Sequence, residues 1–295
     1  MIKKRIAFKP IDGILTLIVL TCSVYMAGRI IFGLQYHWEW RAIPQFLLRF
    51  DTDTGKWVTN MLTHGFFTTI RLSVWSTLFA VIIGTIIGLC RTSKSLFNRL
   101  MGRTYVELVR NLPPLVLIFI FYYFISDQIL TALGIERIIA GCSQRSLAVL
   151  TFLFAPPDLF TRFLSALITL AIFEGAYIAE IVRAGIQSID SGQWEASSAL
   201  GLHRRQTMFF IILPQAIRKI LPPLAGQFVS TIKDSAIVSV ISIQELTFQG
   251  MELMSSTFLT FEIWITVTLL YLALTLSLSL GVNRLEIHMQ RHDAG

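Results

Sequence analysis

The sequence contains few charged residues. Lysine, arginine, aspartate and glutamate make up 15% of its 295 residues, whereas 54% are hydrophobic and the mean hydropathy is +0.65. A soluble domain has about 25% charged residues, so this chain has too few to cover a surface in water. Its apolar runs are continuous, unlike the roughly ten-residue alternating segments of a membrane barrel. The composition therefore predicts an integral membrane protein made of helices.

Patterns that carry catalysis or metal binding are also missing. The three cysteines are scattered, and the five histidines show no zinc-ligand spacing. Gly55–Lys56 is followed by tryptophan and lacks the earlier glycine of a phosphate-binding loop. No G-x-S-x-G nucleophile motif occurs. We expect no catalytic residue, no metal site and no cofactor in this chain.

Six apolar segments are long enough to cross a bilayer as helices of about 20 residues. They lie near Ile14–Leu34, Phe66–Cys90, Pro113–Leu133, Phe160–Val182, Pro222–Ser242 and Leu259–Val282. The run Ser146–Phe154 is shorter and ends at a pair of prolines, which indicates an interfacial segment. The basic start MIKKRIAFKP precedes an apolar run longer than the core of a signal peptide, which indicates a retained helix.

The distribution of basic residues predicts the orientation. With both termini inside, sixteen of the 25 lysines and arginines fall in inner segments and six in outer segments. Inner loops carry the excess of basic residues in membrane proteins. This pattern predicts that both termini and the hydrophilic stretch 190–220 are cytoplasmic, and it accounts for the net charge of +7 without nucleic acid.

Gly84 and Gly88 form a small-xxx-small pattern in the second apolar segment. Such pairs let two membrane helices approach closely. We expect them to pack against another helix of this chain rather than to form a dimer interface.

The stretch 193–202, QWEASSALGL, predicts a short amphipathic helix. Asp190 or Ser191 would cap it, and Gly201 would end it. A second helical stretch would run from Arg204 to Ile212 and be interrupted by Pro214. The apolar stripe of the first helix would consist of Trp194, Ala196, Ala199 and Leu200. Two alternatives remain at this point, a compact knob for a partner protein or a loop lying on lipid headgroups.

The spacing of these residues resembles the EAA loop of permeases of bacterial ABC importers, which reads E-A-A, three residues, G, nine residues, I-x-L-P. Ser197 replaces the second alanine. Four further motifs resemble the polar amino-acid branch of that family. They are Gly65–Thr69 (GxxxT), Glu107–Pro113 (ExxRNxP), Ala176–Arg183 (AYxAExxR) and Lys233–Ile237 (KDSSL, with Ala236 for the second serine).

The resemblance implies an all-α membrane protein with six transmembrane helices, the five of a type I importer permease core and one extra N-terminal helix. Residues 1–50 would hold the tail, the extra helix and an external loop, and residues 60–290 the core. The chain would be the permease subunit of an ATP-driven amino-acid importer in the bacterial plasma membrane. Its partners would be ATPase subunits that bind ATP and magnesium, a second permease subunit and an extracytoplasmic amino-acid-binding protein.

The resemblance also implies residue roles. The residues that would contact the ATPase are Glu195, Ala196, Ser197, Gly201, Leu202 and Pro214. A charge inside the membrane costs at least ~2.5 kcal/mol on insertion scales, so each needs a partner or a function. The candidate substrate path contains Arg71, Glu174, Tyr177, Lys233 and Asp234. The candidate braces of the inner gate are Glu107, Arg110, Asn111, Glu180 and Arg183.

Alternatives for these charges remain open. Glu174 could bind a substrate ammonium group, or form a structural bridge with Arg71 or Lys233. Lys233 and Asp234 could neutralise each other, and Glu180 and Arg183 could pair on one helix face. For the whole chain, the rival functions are a secondary transporter or channel that uses intramembrane charges, and a scaffold whose loop recruits a soluble partner.

Overall fold

The structure, a computed structural model, describes residues 10–33, 36–53 and 55–293. It divides into two units, residues 1–40 and 41–295. The basic tail with Lys3, Lys4, Arg5 and Lys9 lies outside the described residues, and so does Leu34 at the end of the first predicted span.

The first unit contains one apolar helix, α1 (Pro10–Gly33). Its two threonine hydroxyl groups bond to its own backbone: Thr16 donates to Asp12 O at 2.6 Å and Thr21 to Leu17 O at 2.8 Å. Bonds of this kind let a hydroxyl group lie in lipid without an outside partner.

The second unit begins with α2 (Ile43–Leu47) and a hairpin that the sequence analysis missed. Its strands β1 (Leu48–Asp51) and β2 (Lys56–Thr59) are antiparallel, with Phe50 opposite Trp57. Asn60, which follows the hairpin, bonds back to α2: its backbone N–H donates to Leu47 O at 2.9 Å and its side-chain amide to Gln45 O at 2.6 Å. Residues 48–51 alternate apolar and polar side chains as a strand does, but four residues are the shortest length at which this pattern is informative.

The remaining helices follow in chain order. They are α3 (Met61–Thr92), α4 (Leu96–Asn111), α5 (Pro114–Phe119), α6 (Asp127–Ala132), α7 (Ile135–Ala140), α8 (Gln144–Leu153), α9 (Pro157–Gln187), α10 (Ser191–Ala199), α11 (Arg204–Gln206), α12 (Leu213–Asp234), α13 (Leu246–Thr257) and α14 (Thr260–Asp293). A π-helical segment joins α5 to α6 (Ile120–Ser126) and another joins α11 to α12 (Thr207–Ile212), and a 3-10 segment extends α12 (Ser235–Ile241).

Five of these helical stretches are long and apolar enough to cross a membrane. They are Met61–Thr92, Pro114–Ala132, Pro157–Gln187, Arg204–Ile241 and Thr260–Arg284, and α1 adds a shorter apolar helix, Ile11–Met26. This confirms the predicted all-α membrane fold, with five core helices and one extra at the N-terminal side. The ten-residue α8 is too short to span, as the sequence predicts.

The packing of α3 against α9 forms the centre of the second unit. A β-carbon added at Gly84 would lie 2.6 Å from Ile178 Cγ2, and one added at Gly88 would lie 2.7 Å from Val182 Cβ. Both distances are shorter than van der Waals contact, so only glycine allows the two helices to approach this closely. The prediction that this glycine pair packs within the chain is confirmed.

A buried carboxyl group joins α3, α13 and α14. Glu245 caps α13 by accepting from the N–H groups of Thr247 and Phe248, both at 2.8 Å. It also accepts from the hydroxyl groups of Tyr271 at 2.7 Å and Thr69 at 3.4 Å. Burial raises the pKa of Glu245 to about 7, against the opposing effect of these hydrogen bonds. The contact accounts for the buried threonine of the GxxxT motif.

We predict that Gly84→Leu lowers the melting temperature of the purified permease by about 5 °C or more, because overpacking costs roughly 1–3 kcal/mol or more and a large chain loses a few degrees per kcal/mol. The matched control is Gly281→Leu in α14, an exposed position where no atom lies within 4 Å of the added β-carbon. Equal melting temperatures for the two variants, measured by thermal unfolding in detergent, would contradict the packing described above.

Candidate functional site

The helix α10 is capped at both ends by the residues that the sequence singles out. Asp190 caps its start, where the carboxylate accepts from Gly192 N–H at 2.6 Å. Gly201 ends it in a left-handed conformation with φ of +75°. The N–H of Gly201 donates to Ser198 O and that of Leu202 to Ser197 O, at 3.0 and 3.1 Å. This pair of bonds is a Schellman motif, which turns the chain sharply.

The predicted apolar stripe of α10 is wrong. Trp194 is partly buried and Ser197 is buried, whereas Ala196, Ala199 and Leu200 are exposed. The reason is helical spacing: positions 194 and 197 share one face, while positions 196, 199 and 200 share another. Ser197 therefore packs inward, and its hydroxyl donates to Gln193 O at 2.6 Å.

The exposed face of α10 offers a small surface for a partner. Leu200 is 79% exposed, and Glu195 is exposed and forms no ion pair within the described part of the chain. On the neighbouring π-helical segment, Phe209 and Phe210 are 63% and 72% exposed. An apolar surface next to an unpaired carboxylate is typical of a protein contact.

Two side chains hold α10 against the membrane helices, and a third joins two of those helices to each other. Arg204 lies 5.9 Å from the ring centroid of Trp194 and donates to Thr92 O, at the end of α3, at 3.1 Å. Gln215 of α12 donates to Gln193 of α10 at 3.2 Å. Lys219 of α12 donates to Ser188 O, just after α9, at 2.7 Å. A displacement of α10 would therefore move α3 and α12 through these contacts, and α9 through the short connection that joins it to α10.

Pro214 does not interrupt the helix as the sequence predicts. It is the second residue of α12, and the helical stretch runs through it without a break from Arg204. The π-helical segment before it changes the hydrogen-bond pattern where the proline ring would otherwise clash. The last part of the hydrophilic stretch thus continues directly into a membrane helix that begins at Arg204.

The candidate gate braces meet at one cavity close to α10. Glu180 pairs with Arg183, as predicted. It also pairs with Arg91 of α3, which the sequence indicated only as one of the basic residues of the inner segments. The cavity measures about 320 Å³, and its lining includes Arg91, Glu180, Glu107, Arg110 and Asn111. The pair Arg91–Glu180, about 90 positions apart in the sequence, joins α3 to α9, and Glu107, Arg110 and Asn111 of α4 complete the cavity.

Glu174 lies buried in α9, deeper in the bundle. It accepts from the side-chain amide of Gln227 in α12 at 2.7 Å, and the carboxyl group of Asp234 is a second neighbour. Tyr177, one turn further along α9, lies under the guanidinium group of Arg110 at 5.4 Å. The sequence offered no signal for Gln227, because its register relative to α9 depends on helix packing.

The predicted bridges to Glu174 are wrong. Lys233 is exposed and forms no ion pair with a described residue, so it neutralises neither Glu174 nor Asp234 through a direct contact. Arg71 donates to Thr151 O at 2.7 Å instead. It shares a cavity with Phe163, which lies eleven residues, or about 16 Å, before Glu174 along α9. Arg71 thus belongs to the opposite end of the bundle from α10.

Comparison with known proteins agrees with this geometry. Residues 80–291 match the family described as the inner membrane component of binding-protein-dependent transport systems. The chain is 33% identical, over 79% of its length and 94% of the relative, to a probable glutamine ABC transporter permease of Bacillus subtilis (strain 168). It is 32% identical, over 87% of its length and 99% of the relative, to the glutamine transport permease of Escherichia coli (strain K12).

A solved structure shows the same architecture. The crystal structure of an amino acid ABC transporter with histidines contains a chain that is 31% identical to this one and superposes with a TM-score of 0.62. The match covers 77% of this chain and 94% of that chain. The chain therefore belongs to the inner-membrane permeases of binding-protein-dependent transport systems, and within them to the permeases of amino-acid ABC importers.

Proposed function

We propose that α10 is the element through which a separate ATPase drives this permease. The observation that carries the proposal is that α10, with its exposed surface, is attached to α3 through Arg204 and to α12 through Gln215, and follows α9 after three residues. In this role α10 and both chain termini are cytoplasmic, and ATP and magnesium bind to the ATPase subunits, so this chain hydrolyses no ATP itself.

The chemistry of the exposed face supports a groove on the ATPase as its partner. Ala196 is small and exposed, so a partner backbone can come close to α10. Glu195 offers a carboxylate for a charged hydrogen bond, which arginine accommodates best. Gly201 and Leu202 set the angle between α10 and the following helix through the Schellman motif.

In the proposed cycle, nucleotide binding favours one of two arrangements of the membrane helices. A ligand shifts such an equilibrium only by its difference in affinity for the two states. Movement of α10 with the ATPase would tilt α3, α9 and α12, which carry Arg91, Glu180 and Gln227. The gate would therefore form where Glu180 holds Arg91 and Arg183, next to the cavity lined by Glu107, Arg110 and Asn111.

The other partners follow from the type of importer. A second permease subunit, a copy of this chain or a paralogue, would complete the path across the membrane. An extracytoplasmic binding protein would deliver an amino acid at the Arg71 end of the bundle. Membership of this family favours this ATP-driven scheme over a secondary transporter, a channel or a scaffold.

We place the substrate path along Glu174, Tyr177 and Asp234, with Lys233 nearby and Arg71 at the entrance. A buried carboxyl group beside the amide of Gln227 suits an ammonium or amide group of a polar amino acid. Two of the relatives are named as glutamine permeases, and glutamine carries both groups. These features support a polar, uncharged amino acid as cargo.

Glu195→Lys is expected to lower ATP-dependent uptake at least tenfold, because a charged hydrogen bond is worth about 1.5–3 kcal/mol and the new charge also repels a cation on the partner. Uptake and ATP hydrolysis are measured in proteoliposomes containing the complete importer. The matched control is Glu252→Lys, which makes the same charge change at an exposed position of α13. Normal uptake by the Glu195 variant would rule out the proposed contact.

Glu174→Gln is expected to weaken amino-acid binding by the purified permease–ATPase complex about 10- to 100-fold, through loss of the charged partner. Binding is measured by calorimetry without the binding protein, so that its selectivity does not mask that of the permease. Glu262→Gln removes another buried carboxyl group, in α14, and is expected to leave affinity unchanged. An unaltered affinity and selectivity in the Glu174 variant would exclude it from the substrate path.

A further inference from the structure

A second basic cavity lies between the end of α3 and α10, next to the gate, with which it shares Arg91. It measures about 460 Å³, and its lining includes Arg91, Lys94, Arg99, Arg204 and Trp194, but no aspartate or glutamate. The proposed substrate path and the exposed face of α10 do not use it.

Three of these cations lack a negative partner among the described residues. Arg99 donates to Ser93 O at 3.3 Å and Lys94 O at 3.0 Å, and Arg204 donates to Thr92 O. Carbonyl oxygens orient guanidinium groups without neutralising them, so positive charge accumulates around the cavity. Only Arg91 pairs with a carboxylate, that of Glu180. A group with several anionic oxygens, such as a phosphate, fits this arrangement.

An exposed apolar stripe lies on α4, the helix that also contributes Arg99 to the cavity. Phe97 is 70% exposed, Leu100 is 51% exposed and Met101 is 59% exposed. Their spacing puts them on one side of the helix. The opposite side contains Gly102, Val106 and Val109, which are buried. Arg99 stands between the two sides, so α4 has a buried face, a basic edge and an apolar face without a cover.

The stripe lies at the level of the membrane surface, just beyond the membrane-spanning part of α3. Arg91 follows the apolar part of α3, which spans the membrane, and only three residues (Ser93–Ser95) separate α3 from α4. The cavity therefore lies where an apolar helix meets water. Helices with an apolar face and basic residues at its edge lie at the boundary between headgroups and acyl chains, and basic pockets at this level bind anionic headgroups.

We propose that this cavity and the apolar stripe of α4 together bind one anionic phospholipid. The headgroup phosphate lies among Lys94, Arg99 and Arg204. The acyl chains run along Phe97, Leu100 and Met101. Because Arg204 also stacks on Trp194 of α10, the bound lipid stabilises the position of α10 against the end of α3. The lipid site consists of surface residues of this chain, and lipid binding does not depend on which amino acid is transported.

Native mass spectrometry tests the proposal on the full-length permease, purified with its partner subunits and released from nanodiscs. The nanodiscs contain either phosphatidylglycerol or phosphatidylcholine. The wild type is expected to retain phosphatidylglycerol and not phosphatidylcholine. The double variant Lys94→Gln/Arg99→Gln is expected to bind phosphatidylglycerol about thirtyfold more weakly, from the loss of two cations near the membrane surface.

Two further arms separate a lipid from other occupants. The control Arg103→Gln/Arg284→Gln removes two cations that do not line the cavity and is expected to retain the lipid. Leu100→Gln/Met101→Gln is expected to lose phosphatidylglycerol, while the cavity still accepts inorganic phosphate in a separate titration.

Equal retention of phosphatidylglycerol by the cavity variant and its control would overturn the proposal. So would retention of phosphatidylglycerol by the Leu100→Gln/Met101→Gln variant at the wild-type level, because the stripe would then not hold the acyl chains. Loss of the ATPase or of the second permease subunit from the Lys94→Gln/Arg99→Gln variant, with its lipid retained, would assign the surface to that subunit instead.

Discussion

The contact between α3 and α9 is the interaction on which the rest of the second unit depends. Gly84 and Gly88 remove the side chains that would keep the two helices apart. In a membrane the hydrophobic effect does not drive helices together, so close packing and hydrogen bonds must do so. The same approach brings Arg91 to Glu180, and it leaves α10 directly after α9 at the end of the pair.

From this contact, a physical path leads from the exposed surface of α10 to the buried polar groups. Arg204 attaches α10 to the end of α3, and Gln215 attaches it to α12. Lys219 in turn attaches α12 to the chain just after α9. Glu174 and Gln227 lie further along α9 and α12, hydrogen-bonded to each other. A tilt of α12 relative to α9 would change that bond directly. This gives the proposed coupling a mechanical basis in named contacts.

Sequence reasoning worked where the signal is local. Apolar runs of about 20 residues, a capping aspartate and a glycine after α10 predict structure because each acts within a few neighbouring residues. The pair Glu180–Arg183 belongs to the same class. Contacts between side chains of different helices could not be predicted from the sequence. Glu174 is hydrogen-bonded to Gln227 and not to Arg71 or Lys233. Trp194 and Ser197 form the inward face of α10. Both results depend on how the helices pack against each other, which sets their register.

Site-specific cross-linking of α10 tests the central claim most directly. Ala199→Cys, in a chain whose native cysteines are replaced by serine, carries the reagent on the exposed face of α10. The account predicts a cross-link to the ATPase subunit whose yield changes when ATP is added, and none from Ser255→Cys in α13. A cross-link from Ser255→Cys but not from Ala199→Cys, or a yield at Ala199→Cys that is indifferent to nucleotide, would contradict it.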